Sequence, residues 1–326
     1  MYKILVFQSP HVMIFGMLSK RGCLPVLFFV CLFPFGCSKS SEVSFEGMLS
    51  VNGTDLFVNI LGAGEPLFVL HGGPGFSHDY FLPHLEPLAD DVKLVLFDQR
   101  GMGRSSVELD SASFSQDLLI EDIEALREEL GFEAIHLMGH SWGGIIAMHY
   151  AAVYPENLAS LILCNSMPAT SEFDELLGIN FARVYERQTT EDLEPLQKAV
   201  EAGSRDIALH ERLMQLHFRP SFYDTSDVNK LHLNLSDQFF RTQALLPFLE
   251  PREEPRPLLP ELKKVDRPVL IIRGEIEAIP LESDLRLKET FQDAKLVNIA
   301  EAGHFPFIEQ PELFREVITE FLNRTP

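Results

Sequence analysis

The apolar residues of this 326-residue chain fall into short runs separated by turn chemistry. Ser44 to Val51 and Thr54 to Leu61 alternate apolar and polar positions on either side of Asn52-Gly53, a pair favoured in two-residue hairpins, so an antiparallel strand pair is expected there. Continuous apolar runs follow at Pro66 to Leu70, Leu94 to Phe97 and Ala134 to Met138, each suited to a strand buried on both faces. Before the last of these, Leu118, Leu119, Ile123, Leu126 and Leu130 recur at helical spacing between Ser115 and the stop signal Gly131. Ile145 to Ala152 reads as a helix, with Pro155 beyond its end. Leu158 to Leu163, Pro268 to Ile272 and Ala294 to Ile299 add strands, and Pro311 to Leu322 a terminal helix with proline in its first turn.

Strand and helix alternate through residue 165, which predicts an α/β fold: a mostly parallel central sheet with helices on both faces. Residues 167–262 break the alternation. They are charged and helical in pattern, with aromatics at Phe173, Phe181, Tyr185, Phe218, Phe222, Tyr223, Phe239, Phe240 and Phe248. A helical cap inserted between core segments 44–166 and 263–326 is the expected arrangement. Pro251, Pro255, Pro257, Pro260 and Pro268 discourage regular structure and mark the return to the core.

In an open α/β sheet, ligands gather at the carboxyl ends of the strands. Three polar or glycine-rich loops lie there: His71-Gly72-Gly73-Pro74-Gly75, Asp98-Gln99-Arg100-Gly101-Met102-Gly103-Arg104-Ser105 and Gly139-His140-Ser141-Trp142-Gly143-Gly144. The third joins a strand directly to a helix, so Ser141 projects from a sharp turn that Gly139 and Gly143 allow to close. A serine in that position becomes a nucleophile when a base, an acid orienting the base and donors for an oxyanion are at hand. The first loop can turn backbone N–H groups toward a ligand. The second lacks the G-K-[ST] ending of a phosphate-binding loop, and Asp98 and Arg100 are assigned to holding its geometry. Glu275, Glu277 and His304 stand after the last two strands, and Gly303 frees the backbone beside His304, the expected base.

These motifs, with Asp122-Ile123-Glu124-Ala125-Leu126-Arg127 and Gly303-His304, resemble the prolyl aminopeptidase (proline iminopeptidase) branch of the α/β-hydrolases. The resemblance implies an α/β-hydrolase fold and a metal-independent serine hydrolase that uses no cofactor. Ser141 would be the nucleophile, His304 the base, and the N–H groups of Gly73 and Trp142 the oxyanion donors. The family's acid is an aspartate, and the matching position is Glu277, one methylene longer; Glu275 is the fallback and Asp284 a distant third. Relatives bind a substrate's free amine with cap glutamates, one of which often follows a tryptophan. Trp142 is the chain's only tryptophan, which leaves Glu186 and Glu211 as candidates. The implied reaction releases an N-terminal residue, proline among the options, through an acyl-enzyme. The alternatives are an esterase or other small acyl or C–C bond hydrolase, and a non-catalytic exported binding protein on the same fold.

Charge narrows the partners. The formal net charge is −21, and Lys3, Lys20 and Arg21 are the only Lys, Arg, Asp or Glu residues among the first 36, so all the acids lie beyond them. Such a surface repels polyanions, which argues against nucleic acid but does not identify a substrate; a small peptide, amide or ester as the partner is what the resemblance implies. Residues 1–37 read as an export leader: Lys20-Arg21, then an apolar stretch broken by Pro25 and Pro34, too short to span a membrane. Met17 is an alternative start. Gly36-Cys37 followed by serines resembles a bacterial lipoprotein cleavage site, so attachment through a lipidated Cys37 is one expected location in the cell envelope, and simple secretion or a periplasmic location the other. Cys164, in an apolar run, is expected in the core.

Overall fold

The computed structural model describes residues 5–9, 12–16, 43–106, 113–187, 191–249 and 258–325. The chain divides into a unit of residues 1–40 and a unit of residues 41–326. In the first, β1 (Leu5–Ser9) and β2 (Val12–Gly16) pair antiparallel. Met17, the apolar stretch 23–37 and Cys37, which carry the leader reading, lie outside the described residues.

The second unit is built on an eight-stranded sheet. β3 (Val43–Val51) and β4 (Thr54–Leu61) form the expected hairpin around Asn52-Gly53. β5 (Pro66–Leu70), β6 (Lys93–Phe97), β7 (Ile135–His140), β8 (Leu158–Cys164), β9 (Val269–Gly274) and β10 (Ala294–Ile299) follow. Their order is β10-β9-β8-β7-β5-β6-β4-β3, parallel from β10 to β6 and antiparallel at the β4 edge. β5 lies between β6 and β7, so the chain reverses its direction of travel across the sheet there. That switch point opens a crevice at the carboxyl ends of β5 and β7.

Successive residues of the inner strands serve opposite cores. Leu67 and Val69 of β5, with Leu270 and Ile272 of β9, pack into one cluster; Phe68 and Leu70, with Val269 and Ile271, pack into the other. This period-two division is why these runs are apolar throughout. One cluster is covered by α1 (Gln116–Glu129) and α2 (Trp142–Val153). Ser115 caps α1 by accepting from Leu118 N–H.

Between β8 and β9 lie α3 (Asp174–Tyr185), α4 (Leu193–Glu201), α5 (Ile207–Phe218), α6 (Asp237–Leu245) and α7 (Leu258–Leu262). Phe222, Val228, Leu231, Leu233 and Phe239 from this stretch join the same apolar cluster as Leu67 and Leu270, so its middle is fused to the core beneath it. Leu258 and Leu262 of α7 pack in the cluster that α2 covers. Pro260 does not prevent helix there because it sits in the first turn, where no N–H is needed. After β9 come α8 (Leu281–Thr290), α9 (Pro306–Glu309) and α10 (Pro311–Leu322).

Loop residues beside the crevice are held by buried charge. Arg100 clamps Asp122 through Nε and Nη2 (2.8 and 2.5 Å) and donates to the Asn52 carbonyl, tying the loop after β6 to α1 and to the hairpin. Asp98 accepts from the backbone N–H groups of His78 and Arg104, each at 2.8 Å, and lies 2.6 Å from His78 Nδ1.

Candidate active site

Ser141 sits between the end of β7 and the first residue of α2, with φ 56° and ψ −121°. This backbone region is unfavourable for a residue with a Cβ. It persists because the turn is fixed on both sides: Ser141 N–H donates to the Cys164 carbonyl (3.0 Å), and its own carbonyl accepts from Gly144 and Met167 N–H (3.0 and 3.1 Å). Closure of strand on helix leaves no room for side chains. A Cβ on Gly139 would lie 2.4 Å from the Gly143 carbonyl oxygen, and one on Gly143 would lie 2.5 Å from that of Leu70.

A small, narrow cavity opens beside Ser141. His304 shares it, and its walls are aromatic and aliphatic: Phe76, Tyr80, Phe218, Leu233 and Phe305. Phe218 closes α5 and lies parallel to the His304 ring, 5° from coplanar in orientation at 6.4 Å. A larger polar cleft lies around Asn52 and Arg100, but Arg100 is committed to Asp122.

His304 follows β10 and is 9% exposed. Its Nδ1 lies 2.8 Å from Glu277 Oε2. Glu277 is nearly sealed from solvent, with its Oε1 accepting from Ile279 N–H (3.1 Å) and its Oε2 also receiving the Asn165 side-chain amide. Burial alone pushes this carboxyl up, but the adjacent His304 charge and the hydrogen bonds from His304, Asn165 and Ile279 outweigh it and bring it down to about 2. The carboxylate is thus ionised and aimed at one imidazole nitrogen. Among the described residues no hydrogen bond occupies Nε2, the nitrogen left for a reacting group.

The fallback acids are placed otherwise. Glu275 is exposed and accepts from Glu301 N–H (2.9 Å). Asp284 is buried against Arg273 in an ion pair of its own. Of the candidates for amine binding, Glu186 is exposed at the end of α3, and Glu211 accepts from Asn234 N–H (3.1 Å). Neither lines the cavity beside Ser141, and among the described residues no carboxylate does. No group of three or more His, Cys, Asp or Glu side chains among the described residues is placed to hold a metal ion.

Trp142 is the first residue of α2, so its N–H has no acceptor within the helix and stands at the positive end of the helix dipole. Its indole packs against the small cluster of Met102, Phe114 and Leu245. Gly73 lines the cavity directly.

Two buried residues absent from the expected site hold these parts in register. His140 Nε2 lies 2.8 Å from the His304 carbonyl oxygen, and Tyr80 Oη lies 2.8 Å from His140 Nδ1 and 2.6 Å from Gly72 N. A carbonyl can only accept, so His140 Nε2 carries the proton. Burial pushes His140 down to about 3 and keeps the ring neutral; its Nδ1 therefore accepts from Tyr80 O–H, and the Tyr80 oxygen accepts from Gly72 N–H. One chain of three hydrogen bonds links the loop after β5, the serine turn and the His304 loop. Tyr80→Phe removes an acceptor from Gly72 and a donor from His140, and is expected to cost about 1–3 kcal/mol for each group left unpaired. Urea denaturation measures it, and a loss under about 0.5 kcal/mol would contradict the network.

Comparison with known proteins fits this architecture. The alpha/beta hydrolase fold family matches residues 65–311, three quarters of the chain. The chain belongs to that family. This α/β-hydrolase is 29% identical over 277 residues to a proline iminopeptidase of Heyndrickxia coagulans, an overlap of 80% of this chain and 92% of that one. Among solved structures it superposes on a proline iminopeptidase of Mycobacterium smegmatis with a TM-score of 0.61 at 23% identity, covering 86% and 98% of the two chains. It superposes equally well on a thermophilic esterase of Thermogutta terrifontis, with a TM-score of 0.63 at 23% identity over 87% and 99%. Those two likenesses establish the fold alone.

Proposed function

We propose that the protein is a serine hydrolase that releases a small apolar N-terminal residue, proline in the first instance, from a peptide or amide. The observation that carries this reading is one cavity shared by Ser141 and His304, with Glu277 bonded to the far nitrogen of that histidine. Ser141 Oγ attacks the scissile carbonyl carbon while His304 Nε2 takes its proton, and Glu277 steadies the imidazolium that forms. The carbonyl oxygen gathers the negative charge and faces the N–H groups of Trp142 and Gly73, each worth a few kcal/mol, about 3, to the transition state. His304 then returns the proton to the leaving amine as the C–N bond breaks. Water attacks the resulting ester by the same path and frees Ser141.

Support for an apolar acyl group comes from the aromatic and aliphatic wall beside Ser141, and for proline from the proline iminopeptidase relative that spans most of the chain. The absence of a carboxylate from the described cavity wall favours a second reading, hydrolysis of esters with a neutral acyl group, because a free amine buried there would lack a counter-charge. A panel of prolyl-, alanyl- and leucyl-β-naphthylamide beside p-nitrophenyl acetate and butyrate separates the two. Prolyl turnover above all other amides supports the peptidase reading; turnover of the esters alone replaces it with the second.

A further inference from the structure

Asn165 follows the last residue of β8, 1% exposed and with φ 45°, a backbone conformation unusual for a residue other than glycine. Its N–H donates to the Ile272 carbonyl of β9 (2.8 Å), so its backbone is anchored to the sheet and not to a loop. The side-chain nitrogen meets two acceptors, Glu277 Oε2 and the Gly303 carbonyl oxygen, the latter at 3.2 Å. Neither an ionised carboxylate nor a carbonyl can donate, so only the nitrogen of the amide can face them, which fixes its orientation. Its two protons are used on two parts of the same site: the acid, and the residue before His304.

We propose that Asn165 is a positioning residue that holds the Glu277 carboxylate against His304 Nδ1. This inference rests on the assignment of Glu277 as the acid of the site. Glutamate has one more rotatable bond than aspartate, and its carboxylate is correspondingly harder to fix. Ile279 N–H restrains Oε1 from two residues along the same loop. Without Asn165, Oε2 would be restrained among these contacts only by His304, the group whose charge changes during the reaction. An amide mounted on the rigid end of β8 supplies the restraint that the longer side chain lacks. The bond to Gly303 holds the histidine's own loop to the same anchor, so acid and base are referred to one point in the sheet.

The test reads nucleophile activation directly, as the second-order rate of labelling by a fluorophosphonate, so that it does not depend on knowing the substrate. Asn165→Ala is expected to slow labelling by roughly 10–100-fold, the scale of a small misplacement at a reacting centre. In a Glu277→Ala background the same substitution is expected to change the rate by less than about threefold, because a residue acting through Glu277 has nothing left to act on. Asn165→Gly, which accepts a positive φ without strain, carries the same comparison if the alanine protein does not fold. An unchanged rate in the single variant overturns the proposal. So does an equal loss in both backgrounds, which would make Asn165 a purely structural tie. If Glu277→Ala itself labels at the wild-type rate, the assignment of the acid fails, and the result is distinct from a failure of Asn165 alone.

Discussion

Ser141→Ala is expected to lower kcat by on the order of 10⁶-fold, about 8 kcal/mol of transition-state stabilisation, on whichever amide or ester the wild-type protein turns over. The loss is large because in the proposed reaction Oγ is the atom that forms the bond; the proposed donors at Trp142 and Gly73 and the apolar cavity would remain to supply only the residual acceleration. Stability should change by less than about 1 kcal/mol, since alanine keeps the Cβ and the backbone bonds to Cys164, Gly144 and Met167 that hold the turn. Steady-state kinetics and chemical denaturation on the same preparation separate the two quantities. A variant that retained a tenth of the activity would show that the reaction does not pass through Ser141.

Glu277→Gln is expected to lower kcat by about 10⁴-fold while leaving the fold intact, because an amide beside His304 Nδ1 no longer dictates the productive tautomer or balances the imidazolium. It also has a signature in stability. Glu277 is held down to about 2, below the ordinary carboxyl value, so its interactions contribute in full above the unfolded-state pKa of about 4.3 and are lost as the pH falls through about 2. Over that window the wild-type protein should lose stability that the glutamine variant does not lose. Parallel denaturation curves from pH 7 to 3, with no difference in slope, would mean that the carboxylate is not held by the contacts described.

Much of this architecture is legible from residue pattern because the sheet imposes it. A strand buried on both faces is mostly apolar, and β5 is so at every position, while β7, β8 and β9 are interrupted only by His136 and His140, Ser160, and Arg273, so each still stands out as a short run. The hairpin shows itself through Asn52-Gly53, and α1 through Ser115 at its start. Ser141, Glu277 and His304 are visible because each follows a strand at the edge where ligands bind.

Other parts of the site leave weaker marks. Asn165 also follows a strand at that edge, and the same positional rule singles it out, but a lone asparagine carries no signal of which carboxylate it will meet. Tyr80 and His140 become partners only when the chain folds, since 60 residues separate them. The walls of the cavity come from Phe76, Phe218, Leu233 and Phe305, which in sequence are indistinguishable from aromatic and aliphatic residues that pack in the core, as Phe222 and Phe239 do. α7 is hidden for a different reason: a proline-rich stretch reads as irregular, although proline is compatible with the first turn of a helix. Glu186 and Glu211 are candidates because relatives bind an amine with cap glutamates, and nothing in their sequence surroundings distinguishes a solvated face from a binding wall.

In the proposed reaction Ser141 is activated by His304 and Glu277 beside one cavity. Peptide mass spectrometry of the protein after brief treatment with a fluorophosphonate tests it most directly, alongside His304→Ala. The expected result is a single adduct on the peptide containing Ser141, formed in the wild-type protein and slowed by at least about 10³-fold in the histidine variant. An adduct on another residue, or labelling of Ser141 at an equal rate without His304, would contradict it.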